Sequence, residues 1–393
     1  RTFSGPARDR DRLLTAAAEY VYGEAEPSLY ALYLSEAGRG ADALRFLDGV
    51  DRSDMSDDAQ ADLLNVWGVV LLQAGRDDEA AKRFHAAVAL DPFAWRAWNN
   101  LMLAEPDEEA QWRNAQAAAS AMRRAPSGRQ PSPPERMAVD LPLLDYRAAL
   151  DGYASLIRST GSHSLPTGPM EINMASAAGA LHDWEEVRRL MARLAPAAPL
   201  TRLLHDHLAG DRLSEAGRFA DAAARYRDAY AVWLAMPDRN ARDPELPCAL
   251  AYVLGRAGER DESARLFAAA APSTSCLVDQ ARLADAAGDR ARADALLDQA
   301  ERLAPDTPFP VYGRGLVSLA RGDLDAAAAA FRTAHERAPH WAEPLKGLGD
   351  AAAAAHRYDD ARRHYDAALR EAPEWPELRA ARNAAAAAAG KRS

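Results

Sequence analysis

The chain has 393 residues, of which 48 are basic and 58 acidic, so its formal net charge is −10. This balance disfavours a nucleic-acid-binding protein, because phosphate binding needs a basic face. Apolar residues make up 48% of the chain and aromatic residues only 7%, which indicates closely packed helices with small contact residues, and no apolar run is long enough to predict a membrane span.

The first 124 residues are predicted to form a capping helix followed by helical hairpins. Residues 7–22 have the amphipathic pattern of a helix that could cover the N-terminal end. Residues 24–50 follow as an imperfect hairpin whose turn is marked by Gly38. The clearest hairpin of this half lies at 61–94, and two more helices are predicted over 95–124.

Residues 125–169 are predicted to be an irregular, proline-rich connection that contains one helical pair. The stretch APSGRQPSPP at 125–134 is the clearest break in the chain, so we expect a hinge there. A helical pair interrupted near Pro142 is expected over 135–160. A second irregular connection is expected over 159–169.

Residues 170–375 are predicted to form an array of helical hairpins that becomes more regular towards the C-terminus. A weak pair at 170–194 and a polar loop at 236–247 interrupt its first half. Residues 274–307 run without a gap into two well-formed hairpins. An alanine-rich last helix is predicted within 376–393, where it would cap the C-terminal end.

Residues 308–375 contain two consecutive windows of 34 residues that share their landmarks. Six positions coincide at this offset: Gly315 and Gly349, Ala327 and Ala361, Phe331 and Tyr365, Ala334 and Ala368, Pro339 and Pro373, Trp341 and Trp375. A fixed period of this length is itself a fold signal. The pattern resembles the tetratricopeptide repeat, a unit of two helices, A and B, that stacks into a solenoid.

The shared landmarks have packing reasons. A side chain at Gly315, in the middle of helix A, would hold the neighbouring helix away, while Phe331 fills the remaining gap. Pro339 ends helix B, because proline lacks an N–H and restricts the residue before it. We therefore predict an all-α solenoid of tetratricopeptide type, with about ten repeats and about twenty helices in a right-handed superhelix. One continuous superhelix is favoured over two lobes that meet near residues 125–170.

The sequence contains no recognisable catalytic or metal-binding motif. It has no phosphate-binding GxxxxGK[ST], no GxSxG and no HExxH. We therefore expect no cofactor, no metal and no enzymatic activity. We expect the cysteines Cys248 and Cys276 to be two small buried residues, and the alternative interpretation is a disulfide between neighbouring repeats.

The resemblance implies that a protein or peptide binds the concave face, to which the second, fifth and ninth residues of each unit point. Side-chain amides and an arginine make this face polar in the first half, at Asn65, Arg96, Asn99 and Asn100, and Val69 is a further candidate there. It is apolar at Phe309, Tyr312 and Leu316. The other candidates are His207, Asp211, Arg282, Lys346 and Asp350.

Each candidate group has an alternative interpretation. The polar residues could simply be solvated, and Phe309 and Tyr312 could pack inside the stack. Some tetratricopeptide proteins clamp a C-terminal carboxylate with lysine and asparagine. Lys346 has a fitting position for such a clamp, but Asp350 would repel the carboxylate, which argues against it.

The leading hypothesis is a non-enzymatic scaffold that binds a protein or peptide in the concave groove. The alternative is an accessory region of a larger bacterial protein, such as an envelope, polysaccharide-export, signalling or transferase protein. The first residue is Arg1 rather than Met, so we expect a fragment or a processed product. Arginine carries nearly all the positive charge, which we interpret as an effect of genome base composition. The sequence is compatible with either the cytoplasm or the periplasm.

Overall fold

The computed structural model describes Phe3, Pro6 and residues 10–105, 107–160, 168–236 and 245–390. Within these ranges the chain forms 22 α-helices and a short 3₁₀ helix, and no strand. The predicted all-α class with about twenty helices is confirmed. The first three residues of the helix predicted at 7–22, most of the connections predicted at 159–169 and 236–247, and the last three residues lie outside the described residues.

The chain divides into two compact units, Arg1–Val139 and Asp140–Ser393. The helices of unit 1 are α1 (Arg10–Ala25), α2 (Pro27–Glu36), α3 (Gly40–Asp48), α4 (Asp57–Gln73), α5 (Asp77–Leu90), α6 (Trp95–Ala104), α7 (Glu108–Arg124) and α8 (Pro133–Asp140), which ends at the boundary. The 3₁₀ helix Ser127–Arg129 lies between α7 and α8.

Unit 2 contains the remaining helices. They are α9 (Tyr146–Thr160), α10 (Pro169–Ala180), α11 (Trp184–Met191), α12 (Pro199–Glu215), α13 (Phe219–Ala235), α14 (Leu246–Ala257), α15 (Arg260–Ala269), α16 (Thr274–Ala286), α17 (Arg290–Leu303), α18 (Pro308–Arg321), α19 (Leu324–Arg337), α20 (Ala342–Ala354), α21 (Tyr358–Glu371) and α22 (Pro376–Gly390). Consecutive helices pack as hairpins, for example α12 with α13 and α18 with α19.

Short polar side chains fix the starts of several helices. The carboxylate of Asp107 accepts a hydrogen bond from the Ala110 backbone N–H at 2.8 Å, and Asp183 accepts one from Glu186 at 3.0 Å. These bonds satisfy backbone donors that have no partner within the first turn of a helix. The helix boundaries are therefore set by local sequence as well as by packing.

Each well-formed hairpin is centred on an aromatic side chain that packs against a glycine sixteen residues earlier. A Cβ atom placed on Gly315 would lie 2.6 Å from Cε1 of Phe331, and the same conflict would arise between Gly349 and Tyr365. Phe331 is fully buried. Glycine at this place in helix A therefore lets the helix B ring approach the backbone, as the sequence predicts.

The turn between the two helices of a hairpin uses a left-handed residue. Gly322 ends α18 at φ 83°, and His356 takes the same place 34 residues later at φ 59°. A side chain in this region costs roughly 1 kcal/mol, which explains why glycine is common there. His182, between α10 and α11, has the same conformation at φ 56°.

The two cysteines form a disulfide. Cys248 on α14 and Cys276 on α16 are joined across neighbouring hairpins with their Cα atoms 5.3 Å apart. Both residues are buried. The bond closes a loop of 28 residues, and such a constraint on the unfolded chain stabilises a fold by about 3–4 kcal/mol. Of the two interpretations above, the structure shows the second.

The contact between Gly315 and Phe331 gives a direct test of the register. We expect Gly315→Leu to lower the free energy of unfolding by about 1–3 kcal/mol, because the new side chain overpacks against the buried ring. Urea denaturation followed by circular dichroism measures the change. Ala320→Leu, at an exposed position of the same helix, is the matched control and should have little effect. Equal stability of the two variants would contradict the assigned packing.

Candidate functional site

Two of the candidate residues of unit 1, Asn65 and Arg96, line one small cleft on α4 and α6, which we call the amide cleft. Its volume is about 270 Å³. Helix α4 contributes Asp62 and Asn65, and the start of α6 contributes Trp95 and Arg96. The rest of the wall is formed by Phe93, Ala94, Ala97, Gly128, Arg129 and Gln130.

Asn65 in the amide cleft is bonded to a second asparagine, Asn100, from the next hairpin. Nδ2 of Asn100 donates a hydrogen bond to Oδ1 of Asn65 at 2.9 Å. Among the described residues, Nδ2 of Asn65 and Oδ1 of Asn100 have no further hydrogen-bond partner. The pair therefore offers one donor and one acceptor, the combination that a peptide group requires.

Arginines at the edge of the amide cleft are held by carboxylates. Nε of Arg96 donates to Glu135 at 2.9 Å, and its guanidinium lies 4.6 Å from the ring centre of Trp95. Arg129 donates to the buried carboxylate of Asp91 at 2.6 Å. Each guanidinium has five N–H donors, so these bonds fix the side chain and leave other N–H groups that can bind a ligand.

Two other candidates of unit 1, Val69 and Asn99, are at least partly buried within the protein. Val69 packs against the core of the unit. Oδ1 of Asn99 is buried and has no hydrogen-bond partner in the described structure. The sequence analysis missed Arg129 and Gln130, because both come from the proline-rich stretch that we predicted as a hinge. No local pattern links that stretch to α4, so only the folded structure could reveal it.

The polar candidates of unit 2 are paired within the protein. The hydroxyl of Tyr365 donates to Asp350 at 2.8 Å, and Lys346 donates to the same carboxylate at 2.7 Å. The hydroxyl of Tyr226 donates to Asp211 in the same way. Each aspartate follows directly on the glycine that contacts the tyrosine ring.

The residue after the glycine depends on the aromatic residue of its hairpin. Where the ring is tyrosine, an aspartate accepts its hydrogen bond. Where the ring is phenylalanine, as at Phe84 and Phe331, the corresponding residues are the apolar Val69 and Leu316. Burial raises the pKa of Tyr365, and the neighbouring carboxylate of Asp350 raises it further, so the phenol stays protonated and donates.

His207 and Arg282 also have polar neighbours. Nε2 of His207 lies 3.8 Å from the carboxylate of Asp211. The guanidinium of Arg282 donates to Asp279 at 3.1 Å and lies 4.4 Å from the ring centre of Tyr252. Burial raises the pKa of Asp279 to about 6, although the arginine opposes this shift.

The apolar candidates lie within an aromatic stack. The ring centre of Tyr312 is 4.5 Å from that of Trp341 and 5.6 Å from that of Phe331, while Phe309 lies 5.4 Å from Trp341. All three candidates, including Leu316, are partly buried. The structure thus places Phe309 and Tyr312 in contact with the residues that build the repeat.

Helix α9 adds a cover that the sequence analysis did not foresee. Tyr146 and Leu150 of α9 pack against the same hydrophobic core as Tyr312 and Leu316. Nε of Arg147 donates to the carbonyl oxygen of Glu371 at 3.4 Å. The face that was predicted to be an open apolar groove therefore lies close to another helix of its own unit.

A histidine joins two distant parts of unit 2. The ring of His182 stacks on that of Trp375 at 3.6 Å with an angle of 13° between the planes. Nδ1 of His182 is 2.8 Å from a carboxylate oxygen of Glu215, and Nε2 is 4.0 Å from one of Glu343. The turn between α10 and α11 is thereby tied to the residue that precedes α22.

Burial raises the pKa of Glu343 to about 7, because the carboxylate loses solvent. His182 and Lys346 oppose this shift, while Glu215 adds to it. Burial raises the pKa of Glu215 as well. The cluster therefore holds carboxyl groups that retain a proton more readily than exposed ones do.

The described residues contain no group of three or more His, Cys, Asp or Glu side chains arranged to hold a metal ion. In the same part of the chain, no helix has the length and apolar character that would let it cross a membrane.

Sequence comparison identifies the repeats. Residues 318–385 match the tetratricopeptide repeat family. This segment carries tetratricopeptide repeats. No curated protein is significantly similar to it in sequence. Repeats of this type stack into extended surfaces that bind other proteins.

Solved structures with related architecture are distant in sequence. A chain of the APC/C hetero-tetramer Cut9-Hcn1 is 14% identical, with a TM-score of 0.42 over 91% of this chain and 76% of that chain. Yeast Tom70 is 10% identical, with a TM-score of 0.40 over 92% of this chain and 94% of that chain.

The raised pKa of Glu343 predicts a pH-dependent stability. The folded protein keeps a proton on this carboxyl between pH 4.5 and about 7, whereas the unfolded chain releases it. Stability must therefore fall as pH rises through this window. We expect Glu343→Gln to be as stable as the wild type near pH 4.5 and roughly 1–3 kcal/mol more stable near pH 7.

Urea titrations of both proteins across this pH range measure the difference. Glu336→Gln, on the neighbouring α19, is the control, and its stability curve should run parallel to that of the wild type. A Glu343→Gln curve that also runs parallel to the wild type would contradict the assignment of the proton to Glu343.

Proposed function

We propose that the protein is a non-enzymatic scaffold that binds an extended peptide segment of a protein partner in the amide cleft of unit 1. The observation that carries this proposal is the hydrogen bond between Asn65 and Asn100, which leaves one amide donor and one acceptor for a ligand. An extended peptide exposes backbone N–H and C=O groups that fit such a pair.

Charge supports a peptide with an acidic side chain. Arg96 is about half exposed, with a side-chain exposure of 57%, and Glu135 holds it at the edge of the cleft. An arginine fixed in this way can bind a carboxylate through its remaining N–H groups. The ring of Trp95, which is buried, lies under the Arg96 guanidinium and helps to hold it in place.

Unit 2 offers fewer groups to a ligand. Asp211 and Asp350 accept the hydroxyl groups of the repeat tyrosines, and Lys346 is bound to Asp350. A ligand that competed for these groups would leave a buried phenol without a partner, which costs about 1–3 kcal/mol. The amide cleft has no such cost, and this difference favours unit 1 as the binding surface.

A display library of short random peptides, selected on the full chain, tests the proposal. We expect enriched peptides to contain an acidic residue and to lose affinity by about tenfold or more for Asn65→Ala/Asn100→Ala, because two peptide hydrogen bonds are removed. Fluorescence anisotropy measures the affinities. Asn383→Ala, which removes an exposed amide from α22, is the matched control and should bind like the wild type.

A second variant separates the two candidate surfaces. Phe309→Ala/Tyr312→Ala should bind the enriched peptides like the wild type, once circular dichroism shows that it is folded. Loss of binding with this variant alone would place the site in unit 2 and contradict the proposal. A library that yields no enriched peptide would also contradict it.

A further inference from the structure

The first two helices carry most of the exposed large apolar side chains. Seven such side chains are exposed in the described parts of the chain, and five of them lie within α1 and α2. They are Leu14, Val21, Tyr22, Leu29 and Tyr33. We call these five residues the apolar stripe. Single exposed apolar residues are ordinary, but a cluster of this kind marks an interaction surface.

The apolar stripe is one continuous patch. Leu14 and Val21 are seven residues apart on α1, so they lie on the same side of the helix two turns apart. The rings of Tyr22 and Tyr33 lie 6.4 Å apart and connect α1 to α2. Leu29 lies one turn before Tyr33 on α2, so its side chain extends the same patch.

The exposure does not come from a loosely attached helix. Gly23 of α1 is buried, and a Cβ atom there would meet the rings of Phe46 and Tyr30 at 3.0 Å. The hydroxyl of Tyr30 donates to Glu19 at 3.1 Å, and Arg39 donates to the same carboxylate at 2.7 Å. One side of α1 is thus packed on the unit, while the opposite side carries Leu14 and Val21, which are 57% and 64% exposed.

We propose that the apolar stripe binds a second copy of this chain, with the two α1 helices packed antiparallel about a two-fold axis. In this register Leu14 of each copy contacts Val21 of the other. The axis falls between Ala17 and Ala18, whose small side chains let the helices approach. A two-fold interface uses the same patch on both copies. The α1 part of the apolar stripe meets this requirement, because Leu14 and Val21 lie on either side of these two alanines.

Charge complementarity supports the second copy as the occupant. Arg10 is exposed at the start of α1 and Glu24 is exposed near its end. Neither has an ion-pair partner among the described residues. Antiparallel packing brings Arg10 of one copy to Glu24 of the other, and the two-fold axis repeats the pair. Parallel packing would instead place like charges together, which is unfavourable.

The patch is large enough for a weak to moderate dimer. The five side chains expose on the order of 500 Å² per copy, so a dimer would bury about 1,000 Å² in total before the charged rim is added. That area lies near the lower end of specific interfaces. We therefore expect dissociation in the micromolar range rather than an obligate dimer.

Sedimentation-velocity measurements over a concentration series test the interface. The wild type should shift from monomer to dimer, and Leu14→Asp/Val21→Asp should remain monomeric with unchanged circular dichroism. The matched control is Leu103→Asp/Leu234→Asp, which alters the two exposed large apolar residues outside the stripe and should dimerise like the wild type. A wild type that stays monomeric, or a dimer that survives the stripe variant, would overturn the proposal.

A charge exchange tests the antiparallel register separately. Arg10→Glu and Glu24→Arg should each weaken the dimer by about tenfold or more, because each change places like charges opposite one another twice. The double variant should regain most of the affinity. Failure of the double variant to recover would overturn the register. Binding of the wild type to neutral phosphatidylcholine vesicles, without dimerisation, would overturn the choice of partner.

Discussion

The fold depends on one repeated contact, in which an aromatic ring of helix B packs against a glycine of helix A. Gly315 and Phe331 make this contact in one hairpin, and Gly349 and Tyr365 make it in the next. The ring fills the space between the helices, and the missing side chain lets it approach the backbone. Stacking then buries the remaining apolar surfaces, because a single hairpin cannot bury them alone.

The same contact determines which surface groups remain for binding. A buried phenol needs an acceptor, so hairpins with a tyrosine place an aspartate beside the glycine, as at Asp350 and Asp211. These carboxylates hold the repeat tyrosines even though the sequence analysis assigned their positions to the concave face. The amides of Asn65 and Asn100 bond to each other rather than to a repeat tyrosine, and for this reason we propose the amide cleft as the binding surface.

The hairpins could be predicted from sequence because their landmarks are local. Gly315 and Phe331 are sixteen residues apart, and the second hairpin repeats the pattern at a fixed offset. The contacts of His182 with Trp375, and of Tyr146 with the core beside Tyr312, join segments that share no period, so no sequence pattern revealed them. The sequence analysis named the asparagines Asn65 and Asn100, because they lie on repeat helices. It did not name Arg129, because that residue comes from an irregular stretch without a repeat pattern.

The central claim, that the ring of a hairpin dictates the residue beside its glycine, can be measured by a double-mutant cycle on Asp350 and Tyr365. We expect Asp350→Leu to destabilise the wild type by about 1–3 kcal/mol, because it leaves the buried phenol without an acceptor. In a Tyr365→Phe background the same change should cost much less, because only the ion pair with Lys346 is then lost and the pair of Leu316 and Phe331 is recreated. Additive effects, with no coupling between the two sites, would contradict the account.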